Sequence, residues 1–151
     1  TYTNYLIHFL QTNNMKTHTT NYINTFIEVA EDCPMEVAEI PSAKGNKKTI
    51  AEMQYDMIAQ NPYRFTSDDV FFQVYADRND LTMAEYPAAK EQFFSKGQAC
   101  FRASPLTKRY GFGVHANAEG KIAIFGRETK AYEDLLNDPT VTKVKAMRTS
   151  K

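Results

Sequence analysis

The spacing of apolar residues changes several times along the chain, and each change marks an element. Asn24 to Asp32 (NTFIEVAED) is rich in β-formers and alternates apolar and polar residues near its end, which predicts a first strand. A long surface connection, CPMEVAEIPSAKGNKK, follows with its prolines and glycine. From Thr49 to Asn61 the period lengthens. Ile50, Met53, Met57 and Ile58 fall on one helical face, Thr49 and Glu52 have capping-box spacing, and Asn61-Pro62 ends the run. Val70 to Ala76 (VFFQVYA) is β-branched and aromatic and predicts a strand, with Asp68 and Asp69 before it as solvated residues or metal ligands. Thr82 to Lys96 predicts a second helix, with Thr82 and Glu85 at capping-box spacing and Gly97 at C′. Pro87 removes an N–H near the first turn, which moves the ordered start toward Pro87 itself.

The clearest supersecondary signal is RYGFGVHAN-AEG-KIAIFGRE. Two strand-like runs flank a turn in which Asn117 and Gly120 fit, so a β-hairpin is predicted. Thr129 to Asn137 predicts a short helix with Leu135 and Leu136 facing inward. Thr140 to Arg148 alternates and carries lysines, which predicts an edge strand. Strands and helices in this order suit an α+β fold: a mainly antiparallel sheet of about five strands with two or three helices packed on one face. Residues 15–151 read as one such domain. Residues 1–14 read as a poorly packed extension, because the first Met is Met15 and Thr3–Phe9 echoes Thr20–Phe26 without making a repeat array. Burial of Leu6, Phe9 and Leu10 in the main core would overturn that expectation.

Composition narrows the class. With 151 residues, 42% hydrophobic and 13% aromatic, the chain can bury a core and is not disordered. No apolar run approaches the roughly 18 residues of a membrane helix, and YLIHFL lacks the flanks of a signal peptide, so a soluble, cytoplasmic protein without a membrane partner is expected. Cys33 and Cys100 are too few for a disulfide scaffold and read as reduced thiols. His8, His18 and His115 are too widely spaced for a metal pattern, so neither metal nor cofactor is expected. Net charge is zero but divided: residues 1–95 hold 7 Lys+Arg against 13 Asp+Glu, and residues 96–151 hold 11 against 5. The halves either neutralise one another in the fold or mark an anionic partner for the basic half.

Candidate chemistry gathers in Cys100–His115 (CFRASPLTKRYGFGVH). Arg102, Ser104, Lys108, Arg109 and His115 combine bidentate forks, a hydroxyl, a point charge and a switchable proton, the donors that a phosphate or carboxylate takes. In strand geometry Arg109, Gly111, Gly113 and His115 share one face, and Tyr110, Phe112, Val114 and Ala116 share the other, apolar one. Two glycines between an Arg and a His mark a groove, or a place where a helix or loop packs closely.

The blocks THTTNYINTFIEVAEDCP, NPYRFTSDDVFFQVYA, FFSKGQACFRASPLTKRYGFGVH and VKAMR together resemble an uncharacterised bacterial family known only as a domain of unknown function. The resemblance spans Met15 to Arg148. It implies a small soluble bacterial protein of one domain, beginning near Met15, and carries over no catalytic residue. Pro87 departs from the helix-compatible residue usual there.

The reading that follows is a module binding a small anionic molecule through Arg102, Ser104, Lys108, Arg109 and His115, provided that they line one concavity. The alternatives are a nucleic-acid-binding accessory domain using the basic half with Tyr110 or Phe112 exposed for stacking, and a protein-interaction domain. An enzyme would use Cys100 or His115, with Asp68 and Asp69 as further members of the site, and its nucleophile version needs Cys100 and His115 in hydrogen-bond reach.

Overall fold

The computed structural model describes residues 17–150; Leu6, Phe9 and Leu10 lie outside them. Four strands form one sheet in the order β3-β2-β1-β4: β1 (Thr25–Glu28), β2 (Phe112–Ala116), β3 (Ile122–Gly126) and β4 (Thr142–Lys145). β2 pairs antiparallel with β1 (Ile27 opposite Val114) and with β3 (Val114 opposite Ile124). β4 lies at the edge as the lysines suggested, but it runs parallel to β1, with Ile27 beside Val144. The sheet is therefore mixed, antiparallel in two of its three pairings, and has four strands where about five were expected.

The helices are α1 (Ile50–Ala59), α2 (Ser67–Arg78), α3 (Tyr86–Phe94), α4 (Pro105–Lys108) and α5 (Lys130–Asn137), with short 3₁₀ turns at Met83–Glu85 and Phe101–Ala103. Their number exceeds the expected two or three because Pro105–Lys108 closes the further short helix α4 and because the predicted strand Val70–Ala76 is the middle of α2. Thr66 caps that helix with a reciprocal box: its hydroxyl accepts from Asp69 N–H, and the Asp69 carboxylate accepts from Thr66 N–H. The stretch imitates a strand because α2 is buried on two sides. Val70 and Val74 enter the main core, while Phe72 and Ala76 pack on Phe94 of α3. Apolar residues all round a helix erase the 3.6-residue period.

The sheet is covered on both faces, not one. Ile27, Val114, Ala116 and Ile122 meet α1, α2 and α4 in the main core. On the opposite face Phe26 and Phe125 meet Tyr132, Leu135 and Leu136 of α5. Tyr132 is fixed there by its hydroxyl, which accepts from Val29 N–H at 2.9 Å, and by an edge contact with Phe26 at 4.9 Å between ring centroids.

Several boundaries shift for local reasons. β1 ends at Glu28, and the Ala30 N–H donates instead to Thr107 C=O. The Thr82–Glu85 box closes a 3₁₀ turn, so α3 starts at Tyr86 with Pro87 in its first turn and stops at Ser95, before Gly97. β2 begins at Phe112. Arg109 ends α4, and Gly111 at φ +83° turns the chain into the sheet, with Ala38 Cα 3.2 Å from where its Cβ would lie.

Candidate functional site

The sequence-predicted anion ligands do not converge in the described residues. Ser104 is 3% exposed and caps α4: its hydroxyl accepts from Leu106 N–H and donates to Gln54 Oε1 at 2.7 Å. Arg102 donates from Nε to Lys145 C=O at 2.8 Å, and its own C=O accepts from Met147 N–H at 2.7 Å. In the parallel ladder, Thr142 and Ala146 direct their N–H groups at β1, so Lys145 C=O and Met147 N–H point outward. Arg102 thus covers the outer edge of β4. Arg109 is exposed beside Tyr110, Glu39 and Ile40 in a separate hollow. Lys108 is half-buried at the end of α4.

His115 lies on the α5 side of the sheet, where its Nδ1 and the Tyr63 hydroxyl are 2.7 Å apart. Burial pushes its pKa below the ordinary value, against a smaller upward pull from Asp138. The Gly113 face is filled from within: a Cβ there would sit 2.5 Å from Phe26 Cζ and 2.7 Å from Tyr132 Cε2. Phe112, on the other face, is 7% exposed in the main core.

Cys100 and His115 have different partners. The Cys100 thiol is 3.4 Å from the Tyr22 hydroxyl, whose pKa is raised by burial and then by that thiol, whereas His115 is bonded to Tyr63. Asp69 is spent in the α2 capping box. Asp68 accepts from Thr19 Oγ1, Thr20 N–H and Thr20 Oγ1 at 2.6–2.7 Å, so it anchors residues 19–20 to the helix. No group of three or more His, Cys, Asp or Glu able to hold a metal ion occurs among the described residues. No helix among them is long and apolar enough to cross a membrane.

The divided charge meets in the fold. Glu31 pairs with Lys145 at 2.8 Å and Arg148 at 3.6 Å, and the Asp32 carboxylate accepts from Thr149 N–H, Ser150 N–H and the Ser150 hydroxyl. These bonds hold both carboxyls below their ordinary pKa, Glu31 first through its hydrogen bond to Lys145 and Asp32 first through the Ser150 N–H.

A cavity of about 350 Å³ lies where α1, α2, α3 and residues 98–105 meet. From α2 come Phe71, Val74, Tyr75 and Arg78, spaced i, i+3, i+4 and i+7 along one stripe. Ile50 and Gln54 come from α1 and Phe93 from α3, while Cys100, Ser104 and Pro105 close the remaining side. Tyr75 and Phe93 stack at 4.9 Å. Most of the lining is apolar; Gln98 and Asn79 spend their amide N–H groups on Phe93 C=O and Tyr75 C=O, and the one charged side chain in the lining is Arg78. Arg78, exposed at the end of α2, makes no ion pair or side-chain hydrogen bond among the described residues.

A second cavity, of about 460 Å³ between the end of β1 and α5, holds more charge, and several of its polar groups are engaged with the protein itself. Glu31 pairs with Lys145, Glu128 accepts from Ala38 N–H, and Arg127 donates to Met35 C=O. Of the five predicted anion ligands, Ser104 alone lines the first cavity. Arg78 was not reached from sequence because its stripe exists only once 67–78 is a helix.

The chain belongs to the family of unknown function DUF6157, whose model matches residues 17–151. No curated protein and no solved structure matches it.

Proposed function

We propose that this protein is a binding module for a small organic anion, taken up in the cavity between α1, α2, α3 and residues 98–105. The observation that carries the reading is Arg78, a guanidinium without a partner among the described residues at the rim of an apolar hollow. Phe71, Val74 and Phe93 offer surface to a hydrocarbon body, and Arg78 offers a planar fork that matches a carboxylate. The chemistry is that expected of the Cys100–His115 segment, but the cation comes from α2. The segment contributes the walls Cys100, Ala103, Ser104 and Pro105.

Titration of ¹⁵N-labelled protein with phenylacetate and its neutral amide tests the reading. The carboxylate should shift the backbone signals of Phe71, Val74, Tyr75 and Ala99 and bind about tenfold more tightly than the amide, as one charge-assisted hydrogen bond gives. Arg78→Gln should abolish that preference. Equal binding of acid and amide, or no shift at these residues with aliphatic and aromatic carboxylates alike, overturns it.

A further inference from the structure

Gln54 is 2% exposed, yet its side chain borders the cavity. It stands on the inward stripe of α1 with Ala51 and Ile58, where an apolar residue would be the ordinary occupant. Its orientation is set by a short chain of bonds. Leu106 N–H donates to Ser104 Oγ, and Ser104 Oγ donates to Gln54 Oε1. With the amide oxygen engaged, Nε2 has no hydrogen-bond partner among the described residues, although the atom is not sealed inside protein. A buried amide whose oxygen is engaged and whose N–H groups have no protein partner, in the lining of an apolar hollow, is a donor held ready for an acceptor.

From this we infer that the ligand carries a second, uncharged acceptor, a carbonyl or ether oxygen, at the end away from its carboxylate. The inference rests on the reading of the cavity as an anion site and refines it. Arg78 is exposed and Gln54 is buried, and both line the cavity, so the carboxylate is assigned to the solvent-side residue and the second acceptor to the buried one. Phe71, Val74 and Phe93 line the space bordered by both. The ligand class is therefore an oxo- or acyl-substituted carboxylate with an apolar middle. A simple fatty or aryl acid would leave the Gln54 N–H groups facing hydrocarbon, which is unfavourable for a buried donor.

Two nearly isosteric probes decide it. Para-acetylphenylacetate presents a carbonyl where para-ethylphenylacetate presents a methylene. Calorimetry on the full chain should find the acetyl compound bound about five- to tenfold more tightly, the range of one neutral hydrogen bond. The Gln54 side-chain amide signals should move with the acetyl compound and stay nearly still with the ethyl one. In Gln54→Met the two affinities should become equal at the ethyl compound's wild-type value. If that variant does not fold, the wild-type affinity pair and the amide signals decide alone. Equal wild-type affinities, or a preference for the ethyl compound, overturn the inference while leaving the carboxylate site in place. Binding of neither compound overturns both.

Discussion

The ring of Phe26 occupies the space that a side chain on Gly113 would need. A methyl group there would lie 2.5 Å from Phe26 Cζ and equally crowd Tyr132. The two residues sit on adjacent strands of one face, and α5 closes over them through Tyr132. Gly113→Ala should therefore destabilise the protein by about 3 kcal/mol, the upper part of the usual range for overpacking. At Gly97 the nearest atom is 3.8 Å away, so Gly97→Ala should change stability by less than about 0.5 kcal/mol. Urea denaturation of both variants checks the contrast; equal effects would show that the ring can move aside.

His115 makes stability depend on pH in a definite direction. Burial lowers its folded-state pKa below the ordinary 6.5. The unfolded chain thus binds the proton more readily, and stability falls as pH drops through about 6.5 toward the lower folded value. Between pH 7.5 and 5.5 the urea midpoint should decline, and His115→Gln should flatten that decline. Glu31 and Asp32 act separately. Their depressed pKa values mean that their contribution is lost only as pH falls below the ordinary carboxylate values of 4.5 and 3.8. A slope unaltered in His115→Gln would assign the dependence to other groups.

Asp68 holds residues 19–20 with three hydrogen bonds, and Thr20 is 3% exposed. Asp68→Ala should cost about 2 kcal/mol, within the range for hydrogen bonds to a charged acceptor. It should also strip the Thr20 amide of its protection against hydrogen exchange, while amides of β1 and β2 lose only what the global destabilisation explains. Retained protection at Thr20 would show that the segment is held by something else.

Arg102 shields the outer edge of β4 through Lys145 C=O and Met147 N–H. Arg102→Ala leaves that carbonyl open to pairing with another chain. The variant should lose about 1 kcal/mol and should self-associate with rising concentration in light scattering. A variant that stays at the wild-type mass throughout would mean that the remaining edge groups are protected enough.

What could be read from the sequence was what neighbouring residues determine. The β2–β3 hairpin depends on Asn117, whose side chain accepts from Glu119 N–H and Lys121 N–H within the turn itself. Thr49 and Thr129 cap their helices through residues three positions on. The α2 segment reads as a strand because burial on both sides erases its helical period, although Thr66 and Asp69 carry a local capping-box signal. Parallel pairing of β4 with β1 left no local trace, since each strand is only four residues long. At the site, Ser104-Pro105 could have been recognised as a cap followed by a first-turn proline. Arg78 and Gln54 could not, because their meeting depends on how α1 and α2 pack. Residues 1–14, read as an extension, lie outside the described residues.

The position of β1 between β2 and β4 also orders events during synthesis. Thr25–Glu28 leaves the ribosome early, but its antiparallel partner begins at Phe112 and its parallel one at Thr142. Among the described strands β1 precedes β4 by more than a hundred residues, so a nascent chain halted before β4 exposes one complete edge of β1. Long-range pairing of this kind slows folding and leaves that edge open to other chains meanwhile. β4 thus does for the newborn protein what a holding chaperone does for others: it covers an edge of β1 that stays open until Thr142–Lys145 is made.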